Sequence, residues 1–168
     1  MANVLLIANP EQEGGLSKAS LGALAAAVEL AEGGTLSVGL VGDGADAAAN
    51  AIASCGAAKF LAVSDPVFSQ PRYATDSAAV VALAKAADAE IIVAAGTSRW
   101  NRVLPGAAHR LGGAADAHIT KLAGGAEVKA TRWYYRQRMV AEYTRTERPW
   151  ALAIDPGAYA PWAGDAGT

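Results

Sequence analysis

Apolar positions along this chain follow two alternating rhythms. Residues 4–8 form a continuous apolar run closed by Asn9-Pro10, which reads as a strand buried on both faces and stopped by a turn. After Gly14-Gly15, Ser17 can cap a helix whose Leu21, Leu24, Ala25 and Val28 recur at three-and-four spacing along one face; Gly33-Gly34 ends it. The cycle repeats as a strand over 36–41, an alanine-rich helix over 45–54 and a strand over 60–63. A third helix is predicted over about 73–87 and a fourth buried strand over 91–95. Beyond Gly96-Thr97-Ser98 a further helix turns Leu104, Ala107, Ala108 and Leu111 to one side. Strands alternating with helices imply a parallel sheet with right-handed crossovers.

From about residue 117 the helical spacing disappears. Short alternating segments over 119–122, 128–135, 139–143 and 150–154 read as added antiparallel strands, with Gly124-Gly125 and Arg136-Gln137 at the turns. Alternation sets Trp133 and Tyr135 on one face and Arg132 and Tyr134 on the other, so one aromatic set is expected to serve the core. Residues 158–168 carry Pro161, Gly164 and Gly167 among small residues, a tail or linker composition, which leaves 1–157 as the domain.

Composition narrows the picture. A chain of 168 residues that is 52% hydrophobic can bury one sizeable core. A net charge of −2 gives no global attraction to nucleic acid or to an anionic membrane. The lone Cys55 excludes an internal disulfide, and the two histidines lie outside metal-finger spacing. With neither a basic leader nor a long apolar stretch, a cytoplasmic location is expected.

Three places could carry chemistry. Gly42-Asp43-Gly44-Ala45-Asp46-Ala47 fits the dinucleotide pattern, follows a strand, opens a helix, and has Asp65 downstream. It follows the second strand, however, and holds Asp43 and Asp46 where phosphate would sit; the competing reading is a tight turn and helix cap. The second place is the crevice beyond the carboxyl ends of strands one and four. If these strands are neighbours, Asn9 faces Gly96, Thr97, Ser98 and Asn101, which could hold an adenine nucleotide by backbone and side-chain hydrogen bonds. The plainer reading has Ser98 or Asn101 capping the next helix. Gly96-Thr97-Ser98-Arg99-Trp100 lacks the second glycine of a nucleophile elbow, so a hydrolase is not indicated. His109 is expected to face solvent, and no ligand set joins it to His118.

The third place runs from Arg132 to Trp150, where five arginines interleave with Trp133, Tyr134, Tyr135, Tyr143 and Trp150. Such a stretch suits a subunit interface, an exposed hairpin without a partner, or an RNA surface. With the chain acidic overall, the reading adopted is an interface through Arg132, Tyr134, Arg136 and Arg138, and nucleic acid is disfavoured.

Several separated blocks, in this order, resemble the N-terminal domain of the electron transfer flavoprotein alpha subunit. They are Gly15-Leu16 leading to Ala25-Ala26-Ala27 and Leu30-Ala31, then Leu40-Val41-Gly42-Asp43-Gly44, and Gly56-Ala57-Ala58-Lys59 running into Val63-Ser64-Asp65-Pro66. Ala94-Ala95-Gly96-Thr97-Ser98, Leu104-Pro105, Arg110-Leu111, Thr131-Arg132 with Tyr135, and the strand before Pro156 continue the series. Departures are Trp100-Asn101-Arg102 where Gly-Arg-Asp is typical, Gly106 for an arginine, and His118 for an aspartate. The resemblance implies an α/β, three-layer Rossmann-like sandwich of the adenine nucleotide alpha hydrolase-like kind, its parallel sheet extended by C-terminal antiparallel strands. It implies a non-enzymatic partner-binding module of an electron-transfer complex, pairing with a beta-type subunit or with another copy. FAD enters through the complex: the family's flavin site lies mainly in a C-terminal domain that is absent here, so this chain alone is expected to bind none. The alternative is an adenine-nucleotide-binding protein using the crevice at Asn9 and Gly96.

Overall fold

The computed structural model describes residues 1–164. Strands β1 (Asn3–Ala8), β2 (Thr35–Val41), β3 (Lys59–Val63) and β4 (Ile91–Ala95) form a parallel array in the order β3-β2-β1-β4. Helices α1 (Lys18–Leu30), α2 (Ala45–Ala51), α3 (Tyr73–Ala87) and α4 (Ser98–Arg110) join them. The period of two in β1 divides the core. Val4, Leu6 and Ala8 pack with Ala23, Leu24 and Ala27 of α1 on one face, and Leu5 and Ile7 pack with Val80 of α3 and Leu104 of α4 on the other.

Beyond β4 the sheet continues through β8 (Trp150–Ile154), β5 (Ala114–Ala123), β6 (Lys129–Tyr134) and β7 (Met139–Tyr143). Only part of this region is antiparallel: β8 runs parallel to both β4 and β5, while β6 and β7 form the antiparallel extension. All five residues of β8 are buried, the pattern of a strand covered on both faces in a parallel sheet. The last strand in sequence thus lies inside the sheet. β5 also begins five residues earlier than its alternation suggests, because Asp116, Ile119 and Leu122 turn inward at three-residue spacing. A register shift between Asp116 and Ile119, with His118 at φ 59°, breaks the period of two.

The helices show smaller differences. Ser17 caps α1, its hydroxyl accepting from Ser20 N at 3.2 Å. The buried face of α1 is nevertheless centred on Ala23, Leu24, Ala26, Ala27 and Leu30, while Leu21, Ala25 and Val28 are half-buried. The reason is cover from a second side: Trp162 N donates to Leu21 O, and Gly22 leaves room for the Tyr159 carbonyl. The Tyr159 hydroxyl accepts from Leu122 N at 2.8 Å, so residues 158–162 bind α1 to β5. Residues 165–168 of the expected tail lie outside the described residues. α2 stops at Ala51 and passes into a short 3₁₀ turn, Ala53–Cys55.

Candidate functional site

β1 and β4 are adjacent, and the helices that follow them, α1 and α4, pack on opposite faces. The crevice between their carboxyl ends is therefore a topological switch point. Ile7 lies beside Ala94, which sets Asn9 and Gly96 at neighbouring strand ends. Gly96 N donates to Ile154 O at 2.7 Å. A Cβ on Gly96 would meet that carbonyl at 2.9 Å, so the approach of β4 to β8 requires glycine. Asn101 Nδ2 donates back to Gly96 O at 3.0 Å, and Asn9 Oδ1 accepts from the Trp100 indole at 3.1 Å. Ser98 is exposed. The N-cap of α4 is Thr97, which makes no side-chain capping bond, so neither Ser98 nor Asn101 caps the helix.

The glycine-rich loop after β2 has the chemistry of a tight turn. Gly42 (φ 130°) and Gly44 (φ 79°) take backbone angles that other residues rarely adopt, and Gly44 caps the seven-residue α2. Asp43 accepts from the Ser64 hydroxyl at 3.1 Å, while Asp65 caps the 3₁₀ turn Pro66–Ser69 by accepting from Val67 N at 2.8 Å. The acidic residue of the dinucleotide pattern is thereby engaged in local structure.

Sequence reasoning missed the clamp behind this crevice. Asp76 is fully buried near the start of α3. Arg99 holds it with Nε and Nη2, both at 2.8 Å, and also donates to Phe68 O at 3.1 Å. Trp100, buried to 1%, fills the core between the helices. The departures of this chain from the family pattern thus have physical roles here. Trp100 closes over Asn9, and the space beside Gly106 is taken by the Tyr73 hydroxyl, which a Cβ would strike. An aspartate inside an apolar helical face was the available signal for Asp76.

A second buried carboxylate organises the C-terminal strands. Asp116 accepts from Arg145 Nε and Nη2 (2.5 and 3.0 Å), from the Trp150 indole (2.8 Å) and from Arg132 Nη1 (3.4 Å). Burial pushes its pKa upward, but hydrogen bonds from Arg145 and Trp150 and the charge of Arg145 bring it below the ordinary carboxylate value. Beside it Tyr143 is pushed up to about 12, first by burial and then by the charge of Asp116. Tyr143 and Trp150 supply the aromatic packing in this region, with ring centroids 6.0 Å apart.

The expected division of the aromatic stretch is overturned at this point. Trp133 and Tyr135 do not line the core; Trp133, Tyr134 and Tyr135 are all exposed, Tyr135 by 79%. β6 and β7 project far enough past the helices that the end of their hairpin is bare on both faces. Of the four proposed interface residues, Tyr134, Arg136 and Arg138 are exposed, whereas Arg132 is turned toward Asp116 and over the Tyr134 ring at 4.2 Å. The turn is unusual. Tyr135, Arg136 and Gln137 have φ of 53°, 53° and 66°, three successive left-handed residues without a glycine, each costing on the order of 1–2 kcal/mol.

His109 is exposed, as expected. His118 Nδ1 lies 3.2 Å from Asp155 Oδ1. Among the described residues no group of three or more His, Cys, Asp or Glu side chains could hold a metal ion, and no helix is long and apolar enough to cross a membrane.

Helices on both faces of a mostly parallel sheet, with a switch point between β1 and β4, define a three-layer Rossmann-like α/β domain. The electron transfer flavoprotein domain family matches residues 4–168, and the chain belongs to that family. No curated protein matches it. Family membership supports an electron-transfer flavoprotein-like module, from a family of carriers that work with partner subunits.

Proposed function

We propose that this chain is a partner-binding module of an electron-transfer flavoprotein system, docking through its β6–β7 hairpin on a beta-type subunit and holding no FAD by itself. The observation that carries this reading is the hairpin turn: a strained backbone holds Tyr135 outward beside Arg136 and Arg138, for which the described residues provide no ion pair. Strained conformations persist where function uses them, and exposed Tyr with Arg is the residue class that anchors interfaces. The FAD of the family would reach this chain only within the complex. A weaker second reading, an adenine nucleotide in the crevice of Asn9, Gly96, Thr97, Ser98 and Asn101, is favoured by the start of α4 there without a side-chain cap.

The double variant Tyr135→Ala with Arg136→Ala should weaken capture of a beta-type subunit by about 2 kcal/mol, roughly thirtyfold. Titration calorimetry reads the affinity, and thermal unfolding should stay close to the parent because neither side chain is buried. Equal binding by parent and variant, or no binding by the parent, would remove the hairpin from the interface.

A further inference from the structure

The two edges of the sheet are built differently. β3 opens on Lys59, a charge of the kind that blunts edge pairing, whereas β7 contains no lysine, proline or bulge and leaves Met139 and Val140 exposed by 58% and 64%. An edge strand presents unpaired N–H and C=O groups that accept another strand unless something blocks it. Alternation assigns the residues of this edge to two faces. Tyr143 turns toward Trp150 with Ala141 and Met139 on its side, and Val140 and Glu142 lie on the other, a series that Arg138, the last residue of the turn before β7, continues in sequence.

The sequence of that second face is complementary to itself. Laid antiparallel on a second copy with Val140 opposite Val140, each Arg138 stands opposite Glu142 of the other copy. Opposite charges at directly facing positions stabilise an antiparallel pair. Sliding by one residue instead sets Arg138 opposite Tyr143 and Glu142 opposite Met139, which loses the charge match. Both charges are free to respond. No ion pair engages Arg138 among the described residues, and Glu142 has only an exposed Lys129 at 3.9 Å.

We propose that β7 pairs antiparallel with β7 of a second copy of this chain, about a two-fold axis at Val140, joining the two sheets into one. The contact is isologous, the commonest form of dimer. It does not rest on the flavoprotein reading, although Arg138, the last residue of the turn, is shared with the docking surface proposed above.

Sedimentation equilibrium over a dilution series should find a reversible dimer. Arg138→Glu and Glu142→Arg each set two like-charge pairs across the axis and should weaken association about tenfold or more, while the double exchange Arg138→Glu with Glu142→Arg restores it. Circular dichroism should be unchanged in all three. In a Cys55→Ala background, Val140→Cys should form an intermolecular disulfide on mild oxidation, because facing residues of an antiparallel pair have Cα atoms about 4.5–5.5 Å apart. Glu142→Cys should not. A parent that stays monomeric at every concentration, a double exchange as weak as the single variants, or equal cross-linking from Glu142→Cys would each overturn the proposal. Capture of a beta-type subunit is read on Glu142→Arg and Val140→Cys, which lie in β7 outside the docking turn, and should be unchanged in both, so the two hypotheses fail separately.

Discussion

Replacing Asp116 with alanine should lower the unfolding free energy by about 3–5 kcal/mol, the penalty typical of breaking a buried ion pair from one side. Asp116 is 7% exposed and collects donors from Arg132, Arg145 and Trp150. Without it two guanidinium groups face each other beside an unsatisfied indole N–H, with the buried Tyr143 hydroxyl already lacking a hydrogen-bond partner. The strands that meet there are β5, β6, β8 and the segment after β7, so the loss falls on the whole C-terminal half of the sheet. Because the native state lowers the Asp116 pKa from 3.8, the carboxylate contributes stability that is present above the ordinary carboxylate range. That contribution is lost as pH falls through the folded value. Urea unfolding should therefore show a steeper acid decline for the parent than for Asp116→Asn below about pH 4. Parallel pH profiles, or a loss under about 1 kcal/mol at neutral pH, would mean that Asp116 does not organise these strands.

The Asp76–Arg99 pair should show the second largest effect. Asp76→Ala and Arg99→Ala are each expected to cost about 3 kcal/mol, since each leaves the opposite charge desolvated between α3 and α4. Asp76 also accepts from Arg72 N at 3.3 Å, and Arg99 also serves Phe68 O, so single truncations open further unmet groups. The apolar pair Asp76→Leu with Arg99→Met should lose much less than the sum of the two truncations, as replacing both partners of a buried pair often does. A double-mutant cycle by urea unfolding measures the coupling. Additive losses would show that the two residues act separately and do not clamp α3 to α4.

The parallel half of the fold was legible because each buried strand there is one apolar run between turn residues, whereas the adjacency of β1 and β4 entered the sequence reading only as a condition, which the pairing of Leu6 with Val93 meets. The placement of β8 was less so. Its run over 150–154 carries the signature of a strand buried on both faces, but its position after two antiparallel strands in the chain hides its place between β4 and β5 in space. β5 misled for a local reason: the shift at His118 converts two-residue alternation into inward positions at Asp116, Ile119 and Leu122. In the crevice, glycine and amide residues put Asn9 and Gly96 at strand ends, with Asn101 in the first turn of the helix that follows. The charges that hold the structure around them were not. Asp76 meets Arg99 across 23 residues, and Asp116 meets Arg145 and Trp150 across 29 and 34. Local pattern carries no information at such separations. Tyr135 and Trp133 were assigned to a core face by alternation alone, which cannot tell that a hairpin runs beyond the helices that would cover it.

The central claim, a family module that works through a partner and does not hold flavin itself, is tested most directly by the native mass spectrum of the purified chain in the presence of FAD, alone and with a beta-type subunit. The account predicts the unliganded mass for the chain alone, apart from any second copy bound through β7, and a complex of the two subunits when both are present. One FAD retained per chain without a partner would contradict it.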